Sequence, residues 1–328
     1  MRAIVGVMIV MAVIGLSYAL WTVQERRARD PKGTLDPVKF RRPLELEGLG
    51  YLPKDGDIVV GVHIAEWLDD AKAGALITNE PRPLGLDWLA RQIARTTAME
   101  LKEIDHVVLS LSFEKQTLTA VVKTRRPMIG EKIAEHGPAK SSLHEGLPLY
   151  EFELQPAGGA LVWWLDAKTA VYTMRFAMPT VADMKGLSKM AQAPQDVLAA
   201  PLHAAVKDRL TRYQVAWAVG RLDRLGALRD AAAFVPAMKR LAEGSKDVKT
   251  FAFGLEPIEG LTLTGHLQTH DAKAATKLKA LLDGLPVPES ISRKVDVPPA
   301  DVKEPWVTWQ VRGEVTAVRA WLAPPVKK

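Results

Sequence analysis

Residues 106–124 read His-Val-Val-Leu-Ser-Leu-Ser-Phe-Glu-Lys-Gln-Thr-Leu-Thr-Ala-Val-Val-Lys-Thr. Two apolar, β-branched runs, His106 to Phe113 and Thr117 to Thr124, flank the polar Glu114-Lys115-Gln116. Alternation on both sides of a short polar break is the signature of an antiparallel hairpin. A second hairpin is written at Val248 to Leu255 and Leu261 to Thr269, around Pro257-Ile258-Glu259-Gly260. Its second arm alternates strictly: Leu261, Leu263, Gly265 and Leu267 against Thr262, Thr264, His266 and Gln268. With a period of two these sets point oppositely, so the polar row is expected to meet water or a polar partner.

The text on either side of the first hairpin sets out one unit. The turn-rich Tyr51 to Gly56 leads into a strand over Asp57 to Ile64, then helices over Ala65 to Ile77 and Asp87 to Leu101. After the hairpin come a short helix, Gly130 to Glu135, and strands at Leu149 to Leu154, Leu161 to Leu165 and Ala170 to Phe176. The second half repeats the order. A strand at Tyr213 to Val219 precedes helices at Leu222 to Ala232 and Phe234 to Glu243, then the second hairpin. A helix from Asp271 to Leu282, capped by Asp271 and stopped by Gly284, leads through a proline-rich loop to Trp306–Arg312 and a last helix, Val315 to Leu322. Hairpins with intervening helices predict an α+β fold: two pseudo-repeated units of antiparallel sheet, at 49–190 and 191–328, with helices on one face.

The N-terminus has a different physical character. Ala3 to Val23 carries no charge, and its length as a helix is about 30 Å, the thickness of a bilayer's hydrocarbon core. Residues 1–24 are therefore expected to be a single transmembrane anchor, with Tyr18 and Trp21 toward the interface. The competing reading is a cleaved signal peptide, with Ser17-Tyr18-Ala19 as a small-x-small site. Residues 25–48, charged and holding Pro31, Pro37 and Pro43, read as a basic linker. Lys and Arg after the segment argue for a cytoplasmic domain, but a hydrophobic run starting at residue 3 is the usual placement of an export signal. The expected location is a single-pass membrane protein with an extracytoplasmic C-terminal domain; the alternative is secretion after cleavage.

Composition narrows the chemistry. The chain has 328 residues, a net charge of +6 and no cysteine, which excludes disulfides, thiolate metal sites and a cysteine nucleophile. No basic stripe of the kind nucleic acid requires runs through the folded region. Phosphate-loop, dinucleotide-binding, nucleophile-elbow and zincin motifs are all absent. His266 and His270 have near-metal spacing but straddle a strand end and a helix cap, so no metal is expected there. Ser141-Ser142-Leu143-His144-Glu145 holds triad residue types, yet neighbours in sequence seldom align into a relay, and the stretch reads as a loop. Asp55 and Asp57 read as a turn entering a strand, and His63 as a hydrogen-bonded interior histidine. No catalytic, cofactor or metal residue is assigned.

Tyr51-Leu52-Pro53-Lys54-Asp55, followed by Ile58-Val59-Val60-Gly61-Val62 and later by Asp105-His106-Val107-Val108, resembles the opening of uncharacterised exported or membrane-anchored bacterial proteins. That resemblance covers roughly residues 51 to 180, implies an envelope domain of unknown function, and brings no site residue with it.

The nine tryptophans carry the remaining signal. Trp163 and Trp164 are adjacent on a strand, and Trp306 and Trp309 are three apart on another, so each pair faces both sides of its sheet. Either both faces are covered, or these rings form an aromatic surface for a protein, glycan or lipid partner. The functional expectation is a membrane-anchored envelope protein with a non-catalytic binding or scaffolding domain. A carrier of a hydrophobic ligand, or a hydrolase using an unrecognised pair such as Glu151 and Asp166, stands as the alternative.

Overall fold

The computed structural model of the chain describes residues 41–54, 56–69, 74, 91, 94, 99–128, 140–153, 158–175, 179–211, 213–223, 245–257, 260–284, 287, 292–314 and 317. The apolar segment 3–23, most of the expected helix 87–101, and those expected at 130–135, 222–243 and 315–322 lie largely or wholly outside these residues. Among the described residues, no helix is long and apolar enough to cross a membrane.

Strands numbered in chain order are β1 Ile58–Val62, β2 Ile104–Ser112, β3 Thr117–Thr124, β4 Lys140–His144, β5 Leu147–Glu153, β6 Gly159–Asp166 and β7 Thr169–Arg175. The rest are β8 Ala216–Arg221, β9 Val248–Glu256, β10 Leu261–Thr269, β11 Val295–Asp296, β12 Asp301–Lys303 and β13 Trp306–Gly313. Helices are α1 Ile64–Asp69, α2 Pro194–Val197, α3 Ala200–Arg209 and α4 Ala272–Asp283. The α+β class and the antiparallel pairing stand as the sequence implies. All the described strands join one sheet in the order β11-β13-β10-β9-β8-β1-β2-β3-β7-β6-β5-β4, with β12 also on β13.

The two halves meet edge to edge, through the antiparallel pairing of β1 with β8. At this seam Gly61 stands opposite Trp217, and any Cβ on Gly61 would run into the indole ring. A glycine is therefore what lets a tryptophan lie flat across the central strand.

Helices on one face only is the expectation that fails. One face carries Val59, Val108, Val121, Trp163, Trp217 and Val219 beneath Leu46, Leu49 and Leu52 and the Leu202, Ala205 and Val206 stripe of α3. The other face carries Val62, Val107, Leu109 and Val307 beneath Ile64 and Trp67 of α1 and Leu278 and Leu282 of α4. The reason is in the strands: Ile58-Val59-Val60, Val107-Val108-Leu109 and Val121-Val122 are continuous apolar runs, the pattern of strands buried on both sides. Alternation seen in β10 does not extend to the sheet centre.

Folded structure also begins earlier than the proline-containing text suggests. Residues Pro43–Glu45 and Glu47–Tyr51 form two short 3-10 turns that bury Pro43, Leu46 and Leu49. The linker's last eight residues thus belong to the domain. Ser141–His144, read as a loop, is strand β4; Glu145 and Gly146, at φ 50° and 80°, turn it into β5 as a two-residue type I′ hairpin. The α4 cap matches expectation, with Asp271 accepting from the Ala274 amide at 2.8 Å.

Candidate functional site

A recess lined by polar and charged side chains lies between α3 and the sheet. Pairing register builds its floor: Arg221 stands opposite Thr250, Thr250 opposite Gln268, and Gln268 opposite Trp306. Four strands thus deliver one cross-sheet row on one face, spanning about 14 Å at the backbone. Leu202, Ala205 and Val206 glue α3 down, and the neighbouring stripe, Pro201, Ala204 and Asp208, becomes the wall. Asp223, Lys249 and His270 complete a groove of about 510 Å³.

Its electrostatics are uneven. Asp208, Asp223 and Lys249 are exposed at the rim, whereas Arg209 and Arg221 are partly buried. The Arg209 guanidinium lies over the Trp306 ring, 4.6 Å from its centroid, a cation–π contact. No carboxylate pairs with Arg209 among the described residues, and its buried Nε–H has no acceptor. Arg221 donates to Asp57 Oδ1 at 2.9 Å, but its Nε–H is likewise buried without one. Under the groove, burial and the Arg209 charge push His266 down to about 4, so its ring is neutral at pH 7. That ring bonds the Arg209 backbone and Thr308 Oγ1, the latter at 3.0 Å.

A second polar cluster is closed. Arg41 grips both oxygens of Asp105, at 2.7 and 3.0 Å, and its main-chain and side-chain nitrogens reach Glu66 Oε1. The Gly48 amide donates to His106 Nε2, and the Trp217 indole donates to His63 Nε2. Those partners leave Nδ1 of each ring to donate, to Asp105 and Glu66 respectively. Both imidazoles are fully buried and have both nitrogens occupied, so neither is available as a general base. Burial lowers His106 despite Asp105. Burial alone would raise Asp105, but His106 and Arg41 outweigh it and hold the carboxyl well below its usual range.

The four tryptophans separate. Trp163 is 1% exposed and donates to the His144 carbonyl at 3.2 Å; Trp164, 9% exposed, packs edge-on to Tyr150 from the opposite face. Trp309 is buried on that same opposite face. Of the four, Trp306 alone lines this groove, so the sheet's double covering accounts for three rings. The other residues weighed in the sequence do not converge. His144 packs edge-on against Trp163, Asp166 caps the β6–β7 turn through Lys168 and Thr169, and Glu151 pairs with Lys140. Among the described residues no three His, Asp or Glu side chains are arranged to hold a metal ion. Sequence reasoning misses Arg209, Arg221, Thr250 and Gln268; only the pairing register reveals that they form a row.

No protein-family model matches the chain, and no curated protein does. Among solved structures it is similar to TP0453 in three crystal forms. Form I gives a TM-score of 0.45 at 10% identity, covering 88% of this chain and 98% of the other. Form III gives 0.49 at 10% identity, covering 84% and 97%, and form IV gives 0.47 at 9%, covering 84% and 96%.

Proposed function

We propose that the chain is a single-span envelope protein, anchored through residues 3–23 with its domain outside the cytoplasm, which binds or scaffolds without catalysis. The observation that carries the reading is the groove itself. A cross-strand row of Arg221, Thr250, Gln268 and Trp306 lies beside Arg209, which has no counter-ion among the described residues, and no hydrogen-bonded nucleophile–base pair adjoins it among those residues. A concave row of polar side chains beside an aromatic ring and a cation makes a binding surface, whereas hydrolysis would need a positioned base. The lining also speaks against a carrier, which would enclose its cargo in leucine and valine. The internal duplication is part of this reading, supported by the parallel neighbour orders β1-β2-β3-β7 and β8-β9-β10-β13.

The experiment has two arms. Full-length chain should stay in membranes through a high-salt wash; a mature N-terminus at Leu20 removes the anchor. Native mass spectrometry of the detergent-purified chain should show a bound small molecule that Trp306→Ala loses. Turnover of a ligand by the chain would overturn the non-catalytic reading.

A further inference from the structure

Resting on the binding role just proposed, we infer that the groove's ligand is a small organic oxyanion, a carboxylate or phosphate group on an apolar body. Two guanidinium groups line one recess. An oxyanion in that recess pairs with the N–H groups these guanidiniums present to it, and a charge-assisted bond of this kind is among the stronger ones a protein makes. Arg221 is already balanced by Asp57, but Arg209 has no counter-ion among the described residues, so it is the anchoring charge. A guanidinium fork recognises carboxylate and phosphate in the same two-bonded manner.

The groove's acidic residues do not cancel this. Asp208 and Asp223 are exposed on the rim, where water and salt screen them, and Lys249 on the same rim offsets one of them. The deeper charges are the arginines. Trp306, Pro201 and Ala204 offer flat apolar contact beside Arg209, while Thr250 and Gln268 offer neutral donors along the floor. The volume suits a small molecule and not a polymer strand.

Phenyl phosphate, benzoate and phenol serve as probes, titrated calorimetrically into full-length chain in non-ionic detergent at fixed ionic strength. The expected result is saturable binding of at least one anion, with phenol tenfold weaker or absent. The preference between phosphate and carboxylate identifies the source chemistry. Arg209→Gln should weaken the anion at least tenfold, Arg209→Lys should weaken it less, and Lys207→Gln, on the exposed side of α3 away from the groove, should shift it less than threefold. Because Arg209→Gln removes no hydrogen bond to another side chain among the described residues, a melting temperature near wild type accompanies it; should it misfold, Arg209→Lys and Trp306→Leu carry the comparison. Equal affinity for phenol, no binding of either anion, or anion binding indifferent to Arg209 overturns the inference. A neutral molecule lost on Trp306→Ala would then still uphold the groove as a binding site, so the two failures are distinguishable.

Discussion

Replacing Asp57 by alanine tests how the halves of the sheet are locked together. Asp57 directly precedes β1, with its side chain only 3% exposed. Oδ1 accepts from Arg221 at the end of β8, and Oδ2 accepts from the Phe113 amide just beyond β2, both at 2.9 Å. Its carbonyl also accepts from the Arg221 amide at 3.0 Å. One side chain thus ties the ends of both strands that flank β1. Asp57→Ala removes an acceptor from a main-chain amide, worth about 1 kcal/mol. It also strands a guanidinium that is only 17% exposed, which adds about 2–3 kcal/mol. The expected loss is about 3–4 kcal/mol, a large share of the roughly 5–15 kcal/mol that holds a domain folded. Asp57→Asn keeps an acceptor for Phe113 and loses only the charge, at about 1–2 kcal/mol. Urea melts followed by circular dichroism give these values, and the Asp57→Asn, Arg221→Gln double mutant should show a coupling of about 1–2 kcal/mol. A cost under about 1 kcal/mol for Asp57→Ala, or strict additivity in the cycle, would refute the lock.

Three other outcomes are expected. Because the folded pKa of His266, about 4, lies below its ordinary 6.5, the unfolded chain takes up this proton first. Stability should therefore fall as pH drops from 6.5 toward 4, and His266→Gln should flatten that part of the pH–stability curve. In β10 the polar row is unevenly covered: Thr264 is 7% exposed beside Gln310, whereas Thr262, His266 and Gln268, like Leu263 on the other face, are only half-buried. Thr264→Ala should then cost about 1 kcal/mol and Leu263→Ala about 2 kcal/mol in denaturant melts, a narrower gap than strict alternation implies. Arg41→Ala should cost about 3 kcal/mol, since it leaves the Asp105 and buried Glu66 carboxylates without their cation. A truncated chain that begins at Pro43 should show the same loss, and one that begins at Lys39 should not.

The hairpins were legible because local alternation and turn residues act within a few positions of each other. His106 to Thr124 and Val248 to Thr269 pair as written. Two-sided burial was harder to see, although Val107-Val108-Leu109 carries it, because a short apolar run reads alike in a buried strand and a helix. Arg41 looked like one more linker cation. Its partners Asp105 and Glu66 lie 64 and 25 residues away, and no local pattern announces them. The groove was the least legible feature. Arg221, Thr250, Gln268 and Trp306 are unremarkable singly and become a row only when four strands align. Trp306 carries a property legible in the sequence, an aromatic ring on a strand, but shares it with three tryptophans that the sheet's two covered faces bury.

Amide hydrogen exchange of the full-length chain, with and without a bound aryl anion, tests the groove as the binding site most directly. Protection is expected to rise together in residues 201–209, 249–251, 267–270 and 305–307, which approach one another only through α3 and the β9-β10-β13 register. Protection confined to the opposite edge of the sheet, around Ser141 to Tyr150, or spread evenly over all strands, would contradict it.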